Sequence, residues 1–199
     1  MKKPDRYTLV LKKLKDKVAD CHELKESLSK AQEDEIRLVF VELEAMEPVR
    51  KEEIPKGYKA HNTQLFTVEK FTANGKHDKY KSRLVAHGNE QDATIYADHS
   101  SPTVAIQSLM TCLTLAACNK DCIVGKLDVK GAFIQTKMSG IPVYVQCRGK
   151  LKDMVLKVLP DLGQYVGSDG VLYCRLKKAL YGCVQASKLW YEKLRAFLI

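Results

Sequence analysis

The sequence predicts an α+β chain. Three observations carry this: apolar residues at helical spacing over residues 7–30, two alternating segments on either side of Asn74-Gly75, and an apolar helix-length run at 103–119 that leads into a short β-branched run at 122–129. With 199 residues, one core plus an appendage is the natural size expectation.

The first element is an amphipathic helix. Tyr7, Leu11, Leu14, Val18, Cys21, Leu24 and Leu28 recur three and four apart, with Lys, Asp and Glu filling the opposite positions. The spacing would support a short coiled coil, but three heptads are marginal and docking on the protein's own core is the better use. Residues 33–46 hold Leu38-Val-Phe-Val41 between acidic residues and read as either a continued helix or a strand. Pro48, Pro55 and Gly57 mark a linker near 48–60, so residues 1–56 form a helical segment and linker ahead of a main unit, 57–199.

The main unit opens with a β-hairpin. Residues 64–71 alternate, Asn74-Gly75 supplies the turn, and residues 79–85 return. Lys79, Lys81 and Arg83 are two apart and share one face, with Tyr80 and Leu84 on the other. Such a face can clasp a triphosphate, because Arg offers a planar fork of donors and Lys a mobile point charge. An ordinary solvated hairpin face explains it too, and on composition alone that reading is ahead.

After Ser101-Pro102, residues 103–119 are apolar on nearly every side and predict a helix covered by other elements. Residues 122–129 then predict a buried strand that ends at Asp128. A carboxylate at a strand end is well placed to hold a divalent ion against phosphate oxygens, and Phe133 could wall the same pocket. Asp at a strand end is also a common solvated turn residue, which the pattern alone favours. A strand is expected at 143–146, a basic patch at 148–152, loop and turn over 155–170, and a strand at 171–176 paired across that turn. The last helix opens near Leu180 and puts Ala186, Leu189, Trp190, Leu194, Phe197 and Leu198 on one core face. It has not visibly ended at Ile199, so the chain reads as a fragment.

Charge and cysteine content narrow the classes. Residues 1–56 hold 13 Lys/Arg and 13 Asp/Glu, whereas residues 57–199 hold 20 against 11 and carry the whole excess of +9. That excess favours a polyanionic partner such as nucleic acid. Seven cysteines without a Cys-x-x-Cys pair argue for reduced thiols in an intracellular protein, cytoplasm or nucleus unresolved, and against a zinc site. No apolar stretch reaches the roughly 18 residues of a membrane span, and a soluble protein is expected.

Four blocks stand in order: Lys79-Tyr-Lys-Ser-Arg-Leu-Val-Ala-His-Gly88, His99-Ser-Ser-Pro102, Lys126-Leu-Asp-Val-Lys-Gly-Ala-Phe133, and Cys174-Arg-Leu-Lys-Lys-Ala-Leu-Tyr-Gly-Cys-Val-Gln185 with Trp190-Tyr191. Together they resemble the reverse transcriptase of Ty1/copia-type long-terminal-repeat retrotransposons, over roughly residues 40–199. The resemblance implies a right-hand polymerase: fingers at 57–100 and 137–185, an incomplete palm at 101–136 and 186–199, and an appended N-terminal helix. It implies that Asp128, with the Val129 carbonyl, holds Mg²⁺ as the first catalytic carboxylate in two-metal nucleotidyl transfer. It makes Phe133 the aromatic that excludes a ribose 2′-hydroxyl and Lys81 and Arg83 the contacts to the incoming triphosphate. Gln185, with Gly182, would line nucleotide and template. Lys79, Arg148 and Lys150 are the further cations expected to meet nucleic acid.

The implied partners are an RNA template, a DNA primer, deoxynucleotides and the remainder of a Pol polyprotein, with no membrane. There are departures. No Asp-Asp pair occurs, so the family's Tyr-x-Asp-Asp element is missing. Gly131 stands where Asn is usual, Val184 replaces Lys, Ser187 replaces Pro, and residues 62–66 lack the usual Trp. The expectation is a polymerase fragment that does not polymerise alone. The alternatives are a retrotransposon-derived remnant that binds nucleic acid without catalysis, or an inert relic with an incomplete core.

Overall fold

The structure, a computed structural model, describes residues 6–96 and 100–199. His99 of the His-Ser-Ser-Pro block and the first five residues lie outside the described residues. The chain is mixed α and β, built on one five-stranded mixed sheet.

Helix α1 spans Arg6–Arg37 and passes into a π-helical turn, Leu38–Glu42. Of the two readings open for residues 33–46 the helix is the one realised, through Glu42, and the short strand β1, Met46–Pro48, begins only at the end of that range. The hairpin is present as β2, Ala60–Phe71, and β3, His77–Ala86, with Phe66 opposite Arg83. Strands β4, Tyr144–Cys147, and β5, Leu172–Leu176, complete the order β1-β5-β4-β2-β3. Only β2 and β4 run parallel. Helix α2 is Ile106–Cys118, α3 is Gly149–Val158 and α4 is Ala186–Leu198.

One apolar cluster joins the end of α1 to the sheet. Ile36, Val39, Leu84, Ile134, Val145, Leu172 and Leu180 are fully buried together. Residues 36–46 therefore share their core with the hairpin and with β4 and β5.

Five expectations are corrected. Residues 155–158 belong to α3 rather than to a loop, because Leu151 and Val155, four apart, bury one face that the surrounding lysines disguise in the sequence. Residues 180–185 form a loop ahead of α4, since Gly182 has a left-handed φ of +88°. Phe197 and Leu198 project into solvent instead of joining the core face. Helix α2 forms but is not covered: Ile106, Met110 and Leu115 are exposed and it has no buried residue. Residues 122–129 form no regular secondary structure and have no sheet partner, and Ile123 is 96 % exposed. A strand is defined by its neighbour, and among the described residues this segment has none. None of the helices among the described residues is long and apolar enough to cross a membrane.

Candidate nucleotide-binding site

Alternation along β3 sets the site. Ser82, Leu84 and Ala86 are buried while Lys79, Lys81 and Arg83 are exposed, as the period of two requires. The guanidinium of Arg83 lies over the Tyr181 ring, 5.3 Å from its centroid. The Phe133 ring meets the same tyrosine at 5.5 Å, tilted by 52°. Burial raises the proton affinity of the Tyr181 hydroxyl; Arg83 opposes this, while the charges of Glu35 and Asp128 add to it. Arg83 and Phe133 thus meet on the Tyr181 ring, and the charge of Asp128 is felt at its hydroxyl.

Two backbone devices hold this arrangement. The Ala86 N–H donates to the Tyr181 carbonyl at 2.8 Å, and Val85 bridges to Tyr181. The loop can approach so closely only at Gly182, where a Cβ would overlap the Ala86 carbonyl oxygen; a Cβ on Gly88 would in turn overlap the Gly182 carbonyl. Phe133 opens a 3-10 turn, Phe133–Gln135, whose next residue, Ile134, is fully buried. That anchor leaves Phe133 half-buried beside Tyr181.

The remaining predicted residues lie elsewhere or are engaged. The Gln185 side chain is buried: its carbonyl accepts from Gln91 Nε2 at 3.3 Å and its amide donates to the Tyr96 hydroxyl at 3.3 Å. Gln91 Oε1 also accepts the Val184 N–H at 2.9 Å, so this network holds the loop that follows Tyr181. Arg148 donates to Gln146 Oε1 at 2.9 Å and lines an open cleft of about 420 Å³ with Lys51, Lys56, Tyr58, Lys59 and Tyr173. That cleft shares no residue with the Arg83 group. Lys150 is exposed in the first turn of α3. Lys79 is exposed along the hairpin, where it pairs with Lys70.

Asp128 is exposed and Val129 half-buried on the unpaired segment. Among the described residues no group of three or more His, Cys, Asp or Glu could hold a metal ion. One carboxylate and one carbonyl leave most of the charge of two divalent ions unbalanced, so this donor set does not by itself fit a two-ion site.

The sequence matches the family described as reverse transcriptase (RNA-dependent DNA polymerase) over residues 49–199, which contain every element of the site except Glu35. The chain belongs to that reverse transcriptase family. Among curated relatives it is 35% identical over 137 residues to a retrovirus-related Pol polyprotein from transposon RE2 of Arabidopsis thaliana, covering 68% of this chain and 8% of the relative. It is 32% identical over 182 residues to that from transposon TNT 1-94 of Nicotiana tabacum, covering 88% of this chain and 12% of the relative. Transposon RE1 of Arabidopsis thaliana gives 34% over 137 residues, 68% and 8%. The chain thus spans about a tenth of the length of the Pol polyproteins it matches. No solved structure matches it at a significant level. These relatives bear out the Ty1/copia resemblance.

Sequence reasoning did not single out four residues around this group: Glu35, Gln91, Tyr96 and Tyr181. Tyr181 stands inside a quoted block, next to Gly182. The other three carry no local signal, because their contacts are made across 49 to 94 residues of chain.

Proposed function

We propose that this chain supplies the nucleotide-holding fingers and part of the palm of a retrotransposon RNA-directed DNA polymerase. The observation that carries the reading is the meeting of Arg83 and Phe133 on the Tyr181 ring. A cation and an aromatic wall on one ring, with the Asp128 carboxylate near enough for its charge to act there, suit a deoxynucleoside triphosphate: charge for its phosphates, a steric limit at its sugar, and an oxygen ligand toward its reacting end. The uncovered apolar residues support the same reading. Ile106, Met110, Leu115, Ile123 and Leu127 all fall in the segment assigned to the palm, where a sheet completed by further polypeptide would cover them. With a donor set that does not fit two ions, the 199 residues do not polymerise alone.

The test is titration of the chain with 2′-deoxyadenosine 5′-triphosphate, followed by the same titration of Arg83→Ala and Phe133→Ala. Arg83→Ala should weaken binding by roughly ten-fold or more, the loss of a charge-assisted contact. Phe133→Ala should narrow the preference for the deoxy over the ribo form. Unchanged affinity in Arg83→Ala would remove the reading.

A second reading is favoured by the Arg148 cleft, whose cations flank two tyrosine rings. It is a nucleic-acid-binding remnant without catalysis. Its mark would be affinity for single-stranded RNA that falls steeply with salt and is lost in Arg148→Glu but kept in Arg83→Ala.

A further inference from the structure

Glu35 is the one buried charged side chain among the described residues, 8 % exposed in the last turns of α1. Its Oε1 accepts the Leu84 N–H at 3.0 Å. Strand β3 is the sheet edge, and the N–H groups of Leu84 and Ala86, two apart, both point away from β2. Glu35 closes the first and the Tyr181 carbonyl closes the second.

The comparison between these two caps is informative. A neutral carbonyl satisfies Ala86, so edge capping does not require a carboxylate, and a buried charge costs more than a neutral acceptor. The charge at Glu35 needs another explanation, and its surroundings offer one. The groups that act on it are Arg83 and Lys81 of β3 and Lys130 of the turn before Phe133, while Tyr181 feels both Arg83 and Glu35. None of the ion pairs among the described residues involves Glu35, so it meets these cations through their field and not as a contact partner.

We propose that Glu35 is a built-in counter-charge of the nucleotide site: it balances Arg83, Lys81 and Lys130 from the buried side and thereby sets how tightly they hold a triphosphate from the solvent side. The inference rests on the nucleotide-binding reading above. Two anions that share one set of cations oppose each other, and the opposition is reciprocal. A bound triphosphate raises the proton affinity of Glu35, and a proton on Glu35 strengthens triphosphate binding. Burial already pushes the Glu35 carboxyl above the usual carboxylate range, with the Leu84 N–H, Arg83, Lys81 and Lys130 pulling against it.

The experiment compares the full chain with Glu35→Gln and Arg83→Ala, titrating each with 2′-deoxyadenosine 5′-triphosphate from pH 5 to pH 8 at low ionic strength, without added divalent ion. Glu35→Gln keeps an acceptor oxygen for Leu84 and removes the charge. It should tighten binding roughly three- to ten-fold at pH 8, and the gap should narrow as the pH falls and the wild-type carboxyl takes up its proton. Titration of the nucleotide itself cancels in the ratio of the two proteins. Unfolding midpoints confirm that Glu35→Gln is folded. If Arg83→Ala weakens binding while Glu35→Gln matches wild type at every pH, or binds more weakly, Glu35 is an edge cap only and the inference falls. If Arg83→Ala binds as wild type does, or wild type does not bind, the nucleotide reading falls and takes this inference with it.

Discussion

Arg83 and Tyr181, far apart in the chain, meet as a cation over a ring, 5.3 Å from its centroid. The contact holds a mobile guanidinium in place before any ligand arrives, which lowers the ordering cost of binding. An exposed pair of this kind contributes about 0.5–1 kcal/mol, so Tyr181→Ala should weaken triphosphate binding roughly two- to five-fold. Tyr181→Phe keeps the ring and should bind as wild type does. Parallel titrations of the two variants check this; equal losses would mean that the hydroxyl and not the ring face is what matters.

Gly182 is required by space as well as by φ. Its φ is +88°, and a Cβ would overlap the carbonyl oxygen of Ala86 and press on Val85. Gly140, at φ +76°, has open space around it. Gly140→Ala should therefore cost about 1 kcal/mol, the left-handed penalty alone. Gly182→Ala should cost about 3 kcal/mol or more, since backbone cannot move aside as a side-chain tip can. Urea unfolding of both variants separates the two terms, and equal losses would show that the loop yields.

Legibility in the sequence followed the range of the interaction. The hairpin was readable because period-two alternation and Asn74-Gly75 are local, and the face of Lys79, Lys81 and Arg83 came with it. The apolar runs at 106–118 and 122–129 were readable as apolar, but their burial depends on partners that composition does not report. Helix α3 was hidden because Lys150, Lys152 and Lys157 crowd the two buried residues that define its face. Within the site, Phe133 and Asp128 were legible through their block. Glu35 was not, because nothing around it says that its carboxylate reaches an amide 49 residues away.

A pH-sensitive strap lies beside β5, away from the β3 edge of the sheet. Lys51 Nζ donates to Asp169 Oδ2 at 2.7 Å and the Tyr173 hydroxyl donates to the same oxygen at 2.8 Å. These hydrogen bonds, Lys51 first, hold the Asp169 carboxyl down to about 2. A depressed carboxylate contributes stability that is complete above its unfolded value and is lost as pH falls through its folded value. The contribution of Asp169 should therefore be constant at neutral pH, decline below pH 4 and vanish near pH 2. Asp169→Asn should remove that slope, and urea midpoints of the two proteins taken between pH 2 and pH 7 should converge at the acid end. High salt should shrink the difference, since Lys51 is more than half exposed.

Ile123 and Ile134 are eleven positions apart and have opposite fates. Ile134 is fully buried beneath the Phe133 turn, whereas Ile123 is 96 % exposed on the unpaired segment. Ile134→Ala removes packed methylenes and leaves a cavity, so it should destabilise the chain by about 2–4 kcal/mol and displace Phe133. Ile123→Ser removes no packing and should change stability by less than about 0.5 kcal/mol. The same substitution extended to Val124 and Leu127 should reduce self-association measured by light scattering, because a single unpaired apolar strand is a template for edge-to-edge pairing. A loss in Ile123→Ser as large as that in Ile134→Ala would show that residues 122–129 pair in solution, and Asp128 would then sit at the end of a real strand.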